Sequence, residues 1–138
     1  MKPTIITGGA AGIGKETAKL FAGRGHRVII ADIDENGADE AAAEIKTSGG
    51  TAVPYPLDVR SEQEWGHFAD WVRTQFGPAD ILVNNAGVMD LGGFVETTPT
   101  GWQRMVDIDL MSAVYGSKAF GQQMIDAGVH GHIVNVAS

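Results

Sequence analysis

Between a short β-branched run and the start of a helical stretch, the chain reads Thr7-Gly8-Gly9-Ala10-Ala11-Gly12-Ile13-Gly14. Glycines here allow a tight strand-to-helix turn and let backbone N–H groups approach an anion, which the N-terminus of the following helix also favours. No other segment constrains the fold as much, because it asks for a strand before it and a helix after it. Taken alone it also fits an ordinary turn, so its meaning depends on the rest of the chain.

The rest of the chain alternates short apolar runs with longer helical stretches, the pattern of a parallel sheet wrapped by helices. Strands are expected at Thr4 to Thr7, Arg27 to Asp32, Thr51 to Leu57, Ile81 to Asn84 and His132 to Ala137. The runs Ile-Ile-Thr and Ile-Leu-Val-Asn read as buried on both faces. Helix ends are marked as well. Asp34 can cap the alanine-rich stretch that ends at Ser48-Gly49-Gly50, and Ser61 with Glu64 forms a capping box. Behind that box, Trp65, Phe68, Ala69, Val72 and Phe76 share one helical face, closed by Gly77-Pro78. Thr98 before Pro99 opens a long helix through Trp102 and Met105 towards Ala127. With 138 residues and neither linker nor repeat, a single domain is expected over residues 1–138. Its fold class is α/β: a Rossmann-like doubly wound parallel sheet in the strand order 3-2-1-4-5, with helices on both faces and truncated after the fifth strand.

Within that frame two phosphate-binding readings compete for the glycine loop. Gly9, Gly14 and Lys15 match the start of a nucleoside-triphosphate loop, G-x-x-x-x-G-K. The next position needs a hydroxyl for magnesium, and the chain has Glu16, whose carboxylate would face phosphate charge; Thr17, one residue late, is turned away by about 100°. The dinucleotide reading gains from the second strand, which ends at Asp32, close to the ~20 residues past the glycines where an acid accepts hydrogen bonds from an adenosine ribose. A 2′-phosphate there would meet like charge, and neither Ala11 nor Ile33 offers a compensating cation, so the residues favour NAD over NADP. Asp32 can alternatively do no more than begin a turn with Asp34.

A formal net charge of −7 without a Lys/Arg cluster leaves no basic surface for nucleic acid or an anionic membrane. No cysteine is present, which excludes disulfides and thiolate metal sites and fits a reducing cytoplasm. The start Met1-Lys2-Pro3 reaches Gly8 too soon for a signal peptide, and no apolar run approaches the roughly 18 residues of a membrane span. The chain is expected to be soluble and cytoplasmic.

The ordered motifs resemble those of the short-chain dehydrogenase/reductase family over nearly the whole chain. Its T-G-x-x-x-G-x-G is met by Thr7, Gly8, Gly12 and Gly14, its third-strand signature by Leu57-Asp58-Val59, and its fourth-strand N-N-A-G by Asn84-Asn85-Ala86-Gly87. The resemblance implies an NAD-dependent oxidoreductase acting on a small alcohol or ketone, with Asp58 and the following backbone holding adenine. The expected cofactor residues are Gly8, Ala11, Gly12, Ile13, Gly14, Asp32, Ile33, Asp58, Val59, Asn85, Ala86 and Gly87. The stretch Gly131 to Ser138 resembles the family's serine-bearing strand, which puts Ser138 at the catalytic serine position. The family's Tyr-x-x-x-Lys pair has no counterpart: the tyrosines are Tyr55 and Tyr115, and neither has Lys four positions later. The chain by itself is therefore expected to bind cofactor without turnover, and an apolar edge after the fifth strand suggests association with another copy. A non-catalytic nucleotide-binding or scaffold module is the other class open at this point.

One position departs from the family pattern. Where it has Asn in V-N-L, this chain has Ile108-Asp109-Leu110. On an ideal helix Asp109 shares a face with Trp102, Met105, Val106, Ala113, Gly116 and Phe120, so it is expected to point inward, in the family's proton-relay position. There it would either pair with the Lys of the missing motif or simply bond local backbone or water. His130 and His132 lack an identifiable third ligand, and no metal is expected.

Overall fold

The computed structural model describes residues 1–137. Five parallel strands, β1 (Pro3–Thr7), β2 (Arg27–Asp32), β3 (Thr51–Pro56), β4 (Ile81–Asn84) and β5 (His132–Asn135), form one sheet in the order β3-β2-β1-β4-β5. The first four runs in chain order begin and end within a residue of their sequence expectations. β5 stops at Asn135, two residues short. Strand order reverses at β1, since β2 follows on one side of it and β4 on the other, with Ile5 registered against both Ile29 and Leu82.

Helices cover both faces because buried side chains alternate along the strands. Ile6, Ile30 and Val83 face α1 (Gly12–Gly23) and α2 (Glu35–Thr47), whose contacts are mostly alanines: Ala18, Ala22, Ala38, Ala41 and Ala42. Ile5, Ile29 and Leu82 face the opposite layer, where α3 (Glu62–Phe76) contributes Trp65, Phe68 and Val72. Fully buried aromatic side chains of this kind contribute roughly 1.5–3 kcal/mol each. Trp65 also donates its indole N–H to the Val59 carbonyl at 3.0 Å, which fastens α3 beneath the loop leaving β3.

The helix starts follow the sequence signals. Asp34 accepts from the Gly37 N–H, Ser61 from Glu64 and Thr98 from Gly101. The long helix expected after Thr98 is broken in the middle. It begins as α4 (Pro99–Met105), widens to a π-helical turn at Val106–Met111, and resumes as α5 (Ser112–Asp126), which carries Phe120 into the core. The wide turn adds backbone between successive faces, so residues beyond it are rotated from their ideal-helix directions. Asp109 lies in that turn.

Candidate cofactor-binding cleft

The carboxyl ends of β1, β2, β3 and β4 open into one cleft of about 560 Å³, at the point where strand order reverses. Crevices at such points are where open α/β sheets take ligands. Of the twelve expected cofactor residues, eleven line it: Gly8, Ala11, Gly12, Ile13, Asp32, Ile33, Asp58, Val59, Asn85, Ala86 and Gly87. Gly14 lies under the loop instead. A Cβ there would overlap the Gly8 carbonyl and come within 2.5 Å of the Asn85 amide nitrogen, so only glycine permits this approach of α1 to the loop.

The loop is held from both sides. Thr7 Oγ1 accepts the N–H groups of Asn85 and Ala86, each at 3.0 Å, and the Asn85 amide donates back to the Thr7 and Gly8 carbonyls at 3.0 and 3.3 Å. These bonds join the ends of β1 and β4. On the other flank, Asp32 Oδ2 accepts the Ala10 N–H and Oδ1 the Asp34 N–H, both at 3.0 Å. Asp32 therefore begins the turn before α2 and also fixes the glycine loop. A carboxylate offers about four acceptor sites, so two remain for hydroxyl groups of a ligand.

Among the helices that follow a strand and loop, α1 differs at its start. Its N-cap is Ala11, no described side chain bonds its first-turn N–H groups, and Gly12 has the left-handed φ of 55°, where an added Cβ would meet nothing within 4 Å. Orphan N–H groups and the positive end of the helix dipole thus meet open space in the cleft, the arrangement that receives a phosphate. Lys15 does not reach back as a triphosphate-loop lysine would. Its ammonium lies 2.6 Å from Glu44 on α2, while Glu16 pairs with Lys19 at 3.3 Å.

At the β3 end, Arg60 binds Asp58 through two side-chain bonds, Nε to Oδ1 at 2.9 Å and Nη2 to Oδ2 at 2.7 Å, and its own N–H donates to Oδ1 at 3.0 Å. This guanidinium holds the Asp58 carboxyl below the usual carboxylate range. Arg60 lines the cleft, as do Arg104, Ile108, Val88 and Ala31, none of which the motifs marked, and Leu57, the first residue of the third-strand signature. A signal for Arg60 did exist in its place directly after Leu57-Asp58-Val59.

Asp109 is corrected by the structure: it is exposed, and its Oδ1 accepts the Val88 N–H at 2.8 Å. It lies in the π-helical turn and reaches the loop leaving β4. Of its two sequence readings, local backbone bonding is the one the geometry contains. Ser138 lies outside the described residues. No helix among the described residues is long and apolar enough to cross a membrane.

Residues 2–138 match the family described as short chain dehydrogenase. The chain belongs to that family. It is 44% identical over 133 residues to a probable oxidoreductase, EphD, of Mycobacterium tuberculosis, covering 96% of this chain and 22% of that protein. It is 36% identical over 137 residues to the 2,5-dichloro-2,5-cyclohexadiene-1,4-diol dehydrogenase LinX of Sphingobium indicum, covering 99% of this chain and 54% of that one. A crystal structure of a metagenomic short-chain oxidoreductase in complex with NADP superposes with a TM-score of 0.94 at 31% identity, over 99% of this chain and 62% of the other. The chain thus spans from about a fifth to about three fifths of the length of these relatives.

Proposed function

We propose that this chain is the NAD-binding part of a short-chain dehydrogenase that oxidises a small secondary alcohol or reduces the matching ketone. The observation that carries this reading is the meeting, in one cleft, of the uncapped α1 N-terminus and the Asp32 carboxylate. A dinucleotide laid along the cleft puts its pyrophosphate on the first-turn N–H groups at Gly12 and Ile13 and its adenosine ribose on the two free acceptor sites of Asp32. The adenine then reaches the end of β3, at Asp58 and Val59. Asn85, Ala86 and Gly87 close the other wall, towards the nicotinamide.

When bound, the nicotinamide supplies the hydride chemistry; the chain's part is to bind, orient and exclude water. Ser138 is proposed to donate a hydrogen bond to the substrate oxygen, on the strength of the family resemblance. Asp109 is proposed to act at the relay position by holding Val88 and the backbone around it. The motif Tyr-x-x-x-Lys is not in this sequence, so the chain alone is proposed to bind cofactor without turnover. LinX, by its name a dehydrogenase of a diol, supports an alcohol as substrate class.

NAD is proposed over NADP because a 2′-phosphate would stand against the Asp32 carboxylate. The NADP complex of the metagenomic relative, together with Arg60 and Arg104 in the cleft, favours the second reading. Calorimetry of this chain with each dinucleotide decides between them. Tighter NAD binding supports the proposal, tighter NADP binding reverses the cofactor assignment, and binding of neither removes the dehydrogenase reading. Small molecules rather than nucleic acid or membrane are the proposed ligands, given the charge of −7. A cytoplasmic setting and a homo-oligomer complete the proposal; exposed Ile133, Val134 and Val136 on and just after β5 support the latter.

A further inference from the structure

We infer that Arg60 is a positioning residue that makes the cleft selective for adenine, by holding the Asp58 carboxylate with one acceptor site left for the 6-amino group. The inference rests on the dinucleotide reading of the cleft.

A carboxylate has about four acceptor sites. Asp58 Oδ1 takes two N–H groups from Arg60, the backbone one and Nε, and Oδ2 takes a third from Nη2. One site remains, on Oδ2. The bidentate fork also fixes the plane of the carboxylate, which an unpaired aspartate on a loop would not keep. Both residues line the cleft at the end of β3, with Asp58 about a quarter exposed at 27%. The base of a dinucleotide lies there once its pyrophosphate is on α1 and its ribose on Asp32.

A lone acceptor of fixed direction separates purines by their 6-substituent. The amino group of adenine donates to it. The 6-oxo group of hypoxanthine or guanine presents lone pairs to a carboxylate and is repelled. Arg60 keeps Asp58 ionised as well, since the guanidinium favours the charged form. The Arg60 backbone anchor at Oδ1 means that the side chain and the main chain act on the same oxygen, so removal of the side chain frees the carboxylate to rotate while the chain path stays.

The test is calorimetry of this chain with NAD and with its hypoxanthine analogue, in the unaltered protein and in Arg60→Ala, Arg60→Lys and Asp58→Asn, each checked for folding by circular dichroism. A charge-assisted hydrogen bond of this exposure predicts a preference for the adenine form of about tenfold in the unaltered chain. Arg60→Ala is expected to reduce that ratio to about twofold while both forms still bind. Arg60→Lys is expected not to restore it, because an ammonium cannot make the two parallel bonds. Asp58→Asn is expected to lose the preference too, since its amide can donate to a 6-oxo group. An unchanged ratio in Arg60→Ala, or equal loss of both forms, overturns the inference and leaves the dinucleotide reading standing. A selective loss of NADP binding also overturns it, by making Arg60 a phosphate ligand. If the unaltered chain binds neither dinucleotide, the reading of the cleft fails and this inference with it.

Discussion

Asp32 Oδ2 accepts the N–H of Ala10 across 22 positions of sequence, so the acid at the end of β2 also sets the path of the glycine loop at the end of β1. Its two backbone bonds, to Ala10 and Asp34, would each contribute about 0.5–1.5 kcal/mol. Asp32→Ala is therefore expected to lower stability by about 1–2 kcal/mol in urea unfolding. It should also weaken NAD more than NADP, because it removes both the ribose acceptor and the repulsion of a 2′-phosphate. A variant that weakens both dinucleotides in equal proportion would show Asp32 to be only a brace for the loop.

Gly14 offers a sharper steric test. Its position leaves no room for a Cβ beside the Gly8 carbonyl and the Asn85 amide, both of which belong to the joint between β1 and β4. Neither neighbour can yield without breaking that joint. Gly14→Ala is expected to lower stability by about 1–3 kcal/mol, as overpacking does, and to abolish detectable dinucleotide binding. Gly66, on α3 with open space around it, is the control. Gly66→Ala should hold or raise the unfolding midpoint, because alanine is the better helix former by about 1 kcal/mol. Equal behaviour of the two variants would remove close approach as the reason for glycine at position 14.

The same contrast explains what could be read in advance. Buried apolar runs located the three inner strands, β2, β1 and β4, because a parallel sheet covered on both faces leaves no polar alternation to confuse them. Asp34, Ser61 and Thr98 could be named as caps because capping depends on three or four adjacent residues. The glycine loop, Asp32, Asp58 and Asn85 to Gly87 fell together at the strand ends because topology, once parallel, brings all those ends to one edge. Arg104 was not legible as a cleft residue, since its place depends on how segments from separate strands converge, whereas Arg60 was marked only by its position after Leu57-Asp58-Val59. The π-helical turn was not legible either. An apolar period near 3.6 carries no mark of one wider turn, and the direction of Asp109 depended on it.

That direction yields a prediction at Asp109. The Val88 N–H needs an oxygen acceptor, which asparagine also supplies. Asp109→Asn is expected to leave stability within about 0.5 kcal/mol, whereas Asp109→Ala should cost about 0.5–1.5 kcal/mol, the usual value of one such bond. Hydrogen exchange at the Val88 amide reads the bond itself, with faster exchange in the alanine variant only. Loss of protection in both variants would mean that the charge, not the acceptor, holds the loop.

Asp58 gives the pH dependence. Its carboxyl is held below the ordinary value of 3.8, first by the side-chain bonds from Arg60. A lowered folded-state pKa means that the folded chain prefers the ionised form more than the unfolded chain does. The resulting stability is present above 3.8 and is lost as pH falls from there through the lower folded-state pKa. Arg60→Ala removes the largest cause, so the Asp58 carbon resonance should titrate with a midpoint nearer 3.8 than in the unaltered chain. Dinucleotide binding should follow the same order, persisting to lower pH with Arg60 in place than without it. An identical Asp58 midpoint in the two proteins would show that the Arg60 fork does not form in solution, and the acceptor left on Asp58 would then have no fixed direction.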